Sequence, residues 1–260
     1  MAKLLQDSLQ CTVLGVDQEG SLQSVGFPPF LQKNRVYIWS ALYGDLDLHY
    51  KILSGITSRE ERHAASLFRN AADTRKYVLR QGVLRILLGN YTDQNPERVS
   101  FLTGKNGKPE LDIRGRYDDV SFNLSHTGEM ILIGITRNQQ IGVDIVKIDP
   151  LYHYHDSAEY ILTPAEKACM QRVEPAMRYQ IFFRIWALKE AILKVTGDTL
   201  SMMQETDTSD IINKGFTFTC CSIKYRNSLP PLFIWQFNRE PDHYGAIAAE
   251  IGSPSHLNGE

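Results

Sequence analysis

The chain has 260 residues, enough for one large domain or two small ones around a packed core. Hydrophobic residues make up 43% and charged residues 22%, an ordinary globular composition. The formal net charge of −2 removes any general electrostatic reason to bind nucleic acid or an anionic membrane, so an anion site has to be built locally.

Residues 1–30 are polar and punctuated by Gly and Pro, which reads as a loosely held leader. Asp7 and Gln10 interrupt any apolar run there, so no signal peptide is expected. No stretch of the chain reaches the roughly 18 to 20 apolar residues that span a bilayer. Cys11, Cys169, Cys220 and Cys221 form neither a C-x-x-C pair nor a zinc spacing, which suits reduced thiols in a cytoplasmic protein.

"NRVYIWSALY" (34–43) predicts a strand from its aromatic and β-branched content. From Ser58 onward the pattern predicts two consecutive helices. Ser58 and Glu61 form a capping-box spacing at the first start. In the second helix Leu79, Val83, Ile86 and Leu87 recur every three or four residues as a buried stripe, with Arg75, Arg80 and Arg85 interleaved. "TGKNGKPEL" (103–111) is a turn-rich loop. "VSFNLS" (120–125), "MILIGIT" (130–136) and "IGVDIV" (141–146) predict strands, with a seam at the polar 137–140. Helices are expected over 163–172 and 177–196. "FTFTCCSIKY", "LFIWQF" and "YGAIAAEI" then return to strand-like composition, and the tail after Gly252 reads as disordered. The fold class is α+β, in two halves over residues 1–138 and 139–260, with no convincing sequence repeat between them.

Three elements could carry chemistry. In "WALKEAILK", Glu190 and Lys194 stand four apart, the spacing of a solvated helical ion pair. In "GVDIV", Asp144 sits inside an apolar strand, where an unsatisfied carboxylate is costly. It is either hydrogen-bonded to a neighbouring loop or a ligand for a hard cation. In "FNLSHTG", Ser125 and His126 either cap a strand end with Asn123 or offer hydrogen bonds to an anion. A serine-hydrolase reading is weakened because no G-x-S-x-G elbow exists. Lys105 and Lys108 sit on a loop whose backbone could approach phosphate, but it lacks the nucleoside-triphosphate pattern. "YHYH" (152–155) reads as loop rather than metal site.

Taken in order, "NGKPEL", "FNLSH", "GVDI" and "WALKEAILKVTG" resemble the 4′-phosphopantetheinyl transferases of the larger Sfp-like type. "EERHAASLFR" (60–69) resembles the upstream helix of that family. The resemblance implies two similar α+β halves related by a pseudo-two-fold, with the active site at their interface. It implies transfer of the phosphopantetheine arm of coenzyme A to a serine of an apo acyl or peptidyl carrier protein, releasing 3′,5′-ADP. By the same resemblance Asp144 and Glu190 are Mg²⁺ ligands. Glu190 or a water on the metal accepts the serine proton, and both remain open. Lys194 contacts the diphosphate or the leaving group. Arg62, Lys105, Lys108, Ser125, His126 and Lys189 form the coenzyme-binding set, Lys189 being partly structural.

Where many members read D-x-E, this chain has Val146, so a third carboxylate is missing. That leaves a non-catalytic coenzyme A or carrier-binding module as an alternative to the enzyme. The expected state is monomeric, with no nucleic-acid or membrane partner. Fatty-acid, polyketide and peptide carriers are not distinguished.

Overall fold

The computed structural model describes residues 10–15, 22–25, 30–112, 119–213, 219–221, 231–239 and 242–251. The first half opens with strands β1 (Gln10–Gly15), β2 (Leu22–Val25) and β3 (Arg35–Leu42). Helices α1 (Tyr43–Asp47), α2 (Tyr50–Ile56), α3 (Arg59–Ser66) and the long α4 (Ala71–Tyr91) follow. A hairpin of β4 (Phe101–Thr103) and β5 (Pro109–Leu111) precedes β6 (Val120–His126) and β7 (Met130–Arg137). The first sheet runs β2-β1-β3-β7-β6, all antiparallel. The leader is therefore not loose throughout. β1 pairs with β3 over six positions, from Gln10 opposite Ser40 to Gly15 opposite Arg35.

The second half comprises β8 (Ile141–Lys147), α5 (Tyr154–Ile161), α6 (Pro164–Gln171), α7 (Arg178–Thr196), α8 (Ser209–Asn213), β9 (Thr219–Cys221), β10 (Leu232–Arg239) and β11 (His243–Glu250). Its sheet runs β8-β11-β10-β9. The element order recurs. A strand, a set of helices ending in a long one, then two strands give the spatial orders β3-β7-β6 and β8-β11-β10. The expected tail after Gly252 lies outside the described residues. Among those described, no helix is long and apolar enough to cross a membrane.

Strand alternation sets the layers. In β3, Tyr37, Trp39 and Ala41 pack towards α4, where the stripe of Leu79, Val83, Ile86 and Leu87 is buried as expected. Val36 and Ile38 face the other way and join Met130 and Leu132 against Ile141, Val143, Ile145 and Ile247 of the second sheet. The intervening residues of β11, Tyr244, Ala246 and Ala248, pack on α7. The layers thus run α4, first sheet, second sheet, α7. Strands buried on both faces explain why "MILIGIT" is apolar at consecutive positions.

Each half also repeats one polar device. Ser58 and Glu61 form a capping box on α3, and Thr163 and Glu166 form another on α6. Each glutamate then meets a buried base from the long helix. Arg85 Nε lies 2.7 Å from Glu61 Oε2, and Lys189 Nζ lies 2.5 Å from Glu166 Oε2. Burial of both pairs is near complete, so each ties a short helix to its long neighbour where water cannot compete.

Gly142 decides how closely α7 approaches β8. A Cβ at that position would stand 1.9 Å from the Ala191 carbonyl oxygen and 2.9 Å from Lys194 Cβ. Only glycine lets the helix backbone lie flush on the strand. Gly142→Ala is expected to displace α7 and cost roughly 2–3 kcal/mol of stability by overpacking. Urea denaturation of the wild-type and Gly142→Ala proteins checks this, and an unchanged midpoint would contradict it.

Candidate active site

β6 and β8 are edge strands of different sheets, and they meet through side chains rather than a backbone ladder. Asn123 Oδ1 accepts from the Val143 N–H at 2.9 Å, and Ser125 Oγ accepts from the Ile145 N–H at 3.4 Å. These rungs satisfy backbone donors on the edge of β8 that would otherwise be buried unpaired. Ser125 Oγ also donates to Asp144 Oδ1 at 2.8 Å.

Asp144, 6% exposed, lies on the α7 side of β8, since its neighbours Val143 and Ile145 face the inter-sheet core. Lys194 Nζ lies 2.7 Å from Asp144 Oδ1 and donates to the Val143 carbonyl at 3.1 Å. Both hydrogen bonds described for this carboxylate fall on Oδ1. The described ion pairs therefore put Lys194 on Asp144 instead of in the expected helical pair with Glu190.

Glu190 stands one turn before Lys194 on α7, beside Trp186, which hydrogen-bonds to it. Burial pushes its carboxyl above the usual carboxylate range. The Lys194 ammonium pulls it down, while the Asp144 charge pushes it up, so the two acids are close enough to repel. Val146, in place of a third carboxylate, is half-buried against the apolar cluster of the second half.

A cleft of about 420 Å³ opens over this group, lined by Lys105–Pro109, Asn123, Leu124, Glu190, Lys194 and the 197–200 turn. It adjoins a recess lined by Tyr77, Arg80, Phe122, Asn123 and His126. The loop of the first half is clasped onto the end of α7. Gly197, in the left-handed region at φ 66°, ends that helix. Asn106 Nδ2 donates to its carbonyl at 2.9 Å, and Lys105 Nζ lies 2.6 Å from Asp198 Oδ1. Lys108 Nζ donates to the Lys194 carbonyl at 2.6 Å and to the Ile141 carbonyl at 3.3 Å. Lys108 thus caps the C-terminus of α7, where a cation complements the unpaired carbonyls.

Of the residues picked out by resemblance, Glu190, Lys194, Lys105 and Lys108 line this cleft and His126 the recess, while Asp144 and Ser125 are buried behind Lys194 and joined to it through the Asp144 carboxylate. Two stand apart. The guanidinium of exposed Arg62 donates to the Thr57 carbonyl, and Arg62 is absent from the cleft lining; its neighbour Glu61 lines the recess instead. Lys189 is fully buried, donating to the Ile161 and Met203 carbonyls at 2.6 and 2.9 Å as well as pairing with Glu166. Burial pulls its pKa down, and Glu166 opposes this. Lys189 serves the fold and cannot reach a ligand in the cleft. The hydroxyl of Ser125 is engaged with Asp144 and the β8 backbone. The "YHYH" stretch is an aromatic cluster, with Tyr154 stacked on Phe182 at 5.2 Å. Among the described residues no group of three His, Cys, Asp or Glu could hold a metal.

Asn123, Gly142 and Arg80 were not singled out as site residues. Asn123 and Gly142 stood inside quoted motifs, Arg80 was named only among the arginines interleaved with the α4 stripe, and only the third dimension separates it from its structural neighbour Arg85.

Residues 140–244 match the model of the 4′-phosphopantetheinyl transferase superfamily, a span that contains Asp144, Glu190 and Lys194. Over that span the chain is similar to that superfamily. It is 29% identical over 177 residues to the 4′-phosphopantetheinyl transferase HetI of Nostoc sp., covering 68% of this chain and 75% of HetI. It is 24% identical over 192 residues to a 4′-phosphopantetheinyl transferase of Bacillus subtilis, covering 74% of this chain and 81% of that protein. The transferase psf-1 of Bacillus pumilus is 29% identical over 157 residues, 57% of this chain and 61% of psf-1. The superfamily match does not extend to Lys105, Lys108, Ser125 or His126. Their assignment to the site rests on the geometry given above.

Two outcomes follow. Lys189→Met leaves Glu166 as an uncompensated buried charge and should cost about 3–5 kcal/mol in urea denaturation. A stable variant with weakened coenzyme A binding would instead mark Lys189 as a ligand. Burial pulls the Lys108 pKa from 10.5 to about 8, against the pull of Glu110 and Glu250. Between those values the native chain binds fewer protons than the unfolded one, so this group adds stability as pH rises through the window. The slope of urea midpoint against pH from 8 to 10.5 should therefore fall in Lys108→Met. An identical slope would contradict it.

Proposed function

We propose that this protein transfers the 4′-phosphopantetheine arm of coenzyme A to a serine of an apo acyl or peptidyl carrier protein, releasing 3′,5′-ADP, with Mg²⁺ as cofactor. The observation that carries the reading is the meeting of Asp144, Glu190 and Lys194 beneath one basic cleft at the junction of the two sheets. A solvated helical face would not bury Glu190 or aim Lys194 at a carboxylate of another element. The recurring strand order supports two halves, 1–138 and 139–260, related by a pseudo-two-fold with the site between them.

The donor set suits Mg²⁺. Two carboxylates are hard oxygen ligands, and substrate phosphate and water complete an octahedron without a third protein acid. The raised pKa of Glu190 has the same sense: one buried acid, one half-buried acid and one ammonium leave a net negative charge that a divalent cation would offset. Bound by Asp144 and Glu190, Mg²⁺ would neutralise charge on the diphosphate oxygens.

The residues of the chain supply the rest. Ser125 and Lys194 fix the Asp144 carboxylate, and the backbone N–H of Ile145 fixes Ser125 in turn. Lys194, at the floor of the cleft, is placed to offset charge that grows on the departing oxygen. The carrier serine forms a new O–P bond while the diphosphate bridge breaks. Its proton passes to Glu190 or to a neighbouring water. The electron pair of the broken bond leaves on the phosphate oxygen of 3′,5′-ADP.

Incubating the purified chain with coenzyme A, Mg²⁺ and a panel of apo carriers should add the mass of the arm to at least one of them. Asp144→Asn and Glu190→Gln should each slow transfer about 100-fold or more and weaken Mg²⁺ binding measured by calorimetry. No mass shift with any carrier, together with intact coenzyme A binding, would favour the binding-module alternative that Val146 raises.

A further inference from the structure

The tip of the β4–β5 hairpin carries Asn106 followed by Gly107, a dipeptide prone to deamidation. With no side chain on the second residue, its backbone nitrogen can approach the asparagine side-chain carbonyl carbon. Both residues are exposed and turn at positive φ, 51° and 85°. A Cβ placed on Gly107 would meet nothing within 4 Å, so no neighbour obstructs ring closure from that side. The folded chain nevertheless keeps the two reacting groups occupied. Asn106 Nδ2 donates to the Gly197 carbonyl at 2.9 Å, and the Gly107 N–H donates to the Gly104 carbonyl at 3.2 Å. While the clasp on α7 is shut, the amide is tied to one partner and the attacking nitrogen to another.

The hydrogen bond that restrains Asn106 also makes its loss consequential. Gly197 ends α7, and its carbonyl stands at the negative end of that helix. Asn106 meets it with a neutral donor, beside the Lys105–Asp198 ion pair of 2.6 Å. A carboxylate at position 106 has no proton to give that carbonyl. It also brings a second negative charge next to Asp198, whose side chain is largely buried, and Lys105 then has two acids to serve.

We propose that Asn106–Gly107 is a deamidation site gated by the clasp, and that its conversion leaves the clasp open. Reaction takes place in the fraction of molecules whose Asn106 side chain has left Gly197. The Gly107 nitrogen attacks the Asn106 side-chain carbonyl carbon and forms the C–N bond of a succinimide. The amide C–N bond breaks, and ammonia departs with the proton of the Gly107 nitrogen. Water then adds to either ring carbonyl, giving aspartate or isoaspartate. No step restores the amide, so an opening that reacts is permanent. The wall of the cleft shared by 105–109 and the 197–200 turn then parts along this line. The inference is independent of which ligand the cleft holds.

The test ages the purified chain at mildly alkaline pH, native and in urea, and follows position 106 by peptide mapping and mass spectrometry. Mapping separates it from Asn258–Gly259, the other Asn-Gly of the sequence. Conversion at Asn106 should be about 10-fold slower in the native chain than in urea, the protection that one or two hydrogen bonds confer. Asp198→Ala and Lys105→Ala each remove the ion pair beside the clasp. Both should speed native conversion severalfold and leave the rate in urea unchanged. Equal rates in native and unfolded wild type overturn the gating, as does native conversion that neither variant accelerates. For the second half of the proposal, Asn106→Asp stands in for the aspartate product, and aged wild type enriched in converted chains needs no substitution. In both, hydrogen exchange at Gly197, Asp198 and the last turn of α7 should quicken about 10-fold. Exchange equal to that of fresh wild type would show the clasp still shut and overturn it.

Discussion

The site depends on a strand edge that is finished by side chains. Val143 and Ile145 of β8 point their N–H groups away from β11, towards the first sheet, and Asn123 and Ser125 of β6 receive them. A backbone ladder at this seam would have merged the two sheets into one and brought the strands within about 5 Å of each other. Side-chain rungs hold the edges further apart while leaving no buried donor unpaired. One rung does a second task. The Ser125 hydroxyl that accepts from Ile145 also donates to Asp144, so the orientation of the acid is set by the same contact that joins the halves.

The second constraint is where α7 lies. Its C-terminal turns sit against Gly142, and the loop from Lys105 to Lys108 fastens onto the turn at Gly197 and Asp198. Lys189, one residue before Glu190, points the opposite way into the buried pair with Glu166. Consecutive residues of a helix diverge by about 100°, so anchoring Lys189 in the core aims Glu190 at the cleft. Lys189, which the resemblance already made partly structural, thus acts as the fixed point that orients the acid. The Arg85–Glu61 pair does the same for α4 and leaves Arg80 directed at the recess.

Helices and strands with strong periodicity were legible in advance. The stripe of α4, the capping box at Ser58 and the three strands flanking the seam all stand where the pattern put them. β1 was missed because the surrounding Gly- and Gln-rich residues obscure a short strand whose partner, β3, is distant in sequence. Two similar halves were expected from the element order and the resemblance, but no sequence repeat marked them, since the likeness resides in the order of elements. Ser58-x-x-Glu61 with Arg85 and Thr163-x-x-Glu166 with Lys189 share chemistry and spacing but almost no identical residues. The turn of Arg62 onto Thr57 and the full burial of Lys189 were not legible for a related reason: a motif gives the residue type, while burial and backbone acceptors decide which way the side chain goes.

The charge arrangement also bears on how a chain of net charge −2 would hold the polyanion of the proposed function. Two acids at the cleft floor repel a phosphate as surely as Lys194 attracts it, and Lys194 is already engaged with one of them. With Lys105 and Lys108 committed to the clasp, the protein alone offers little net positive charge at the floor, whereas Arg80 and Lys76 concentrate it at the other end. A diphosphate at the floor, as the proposed function requires, would therefore need a cation brought with it.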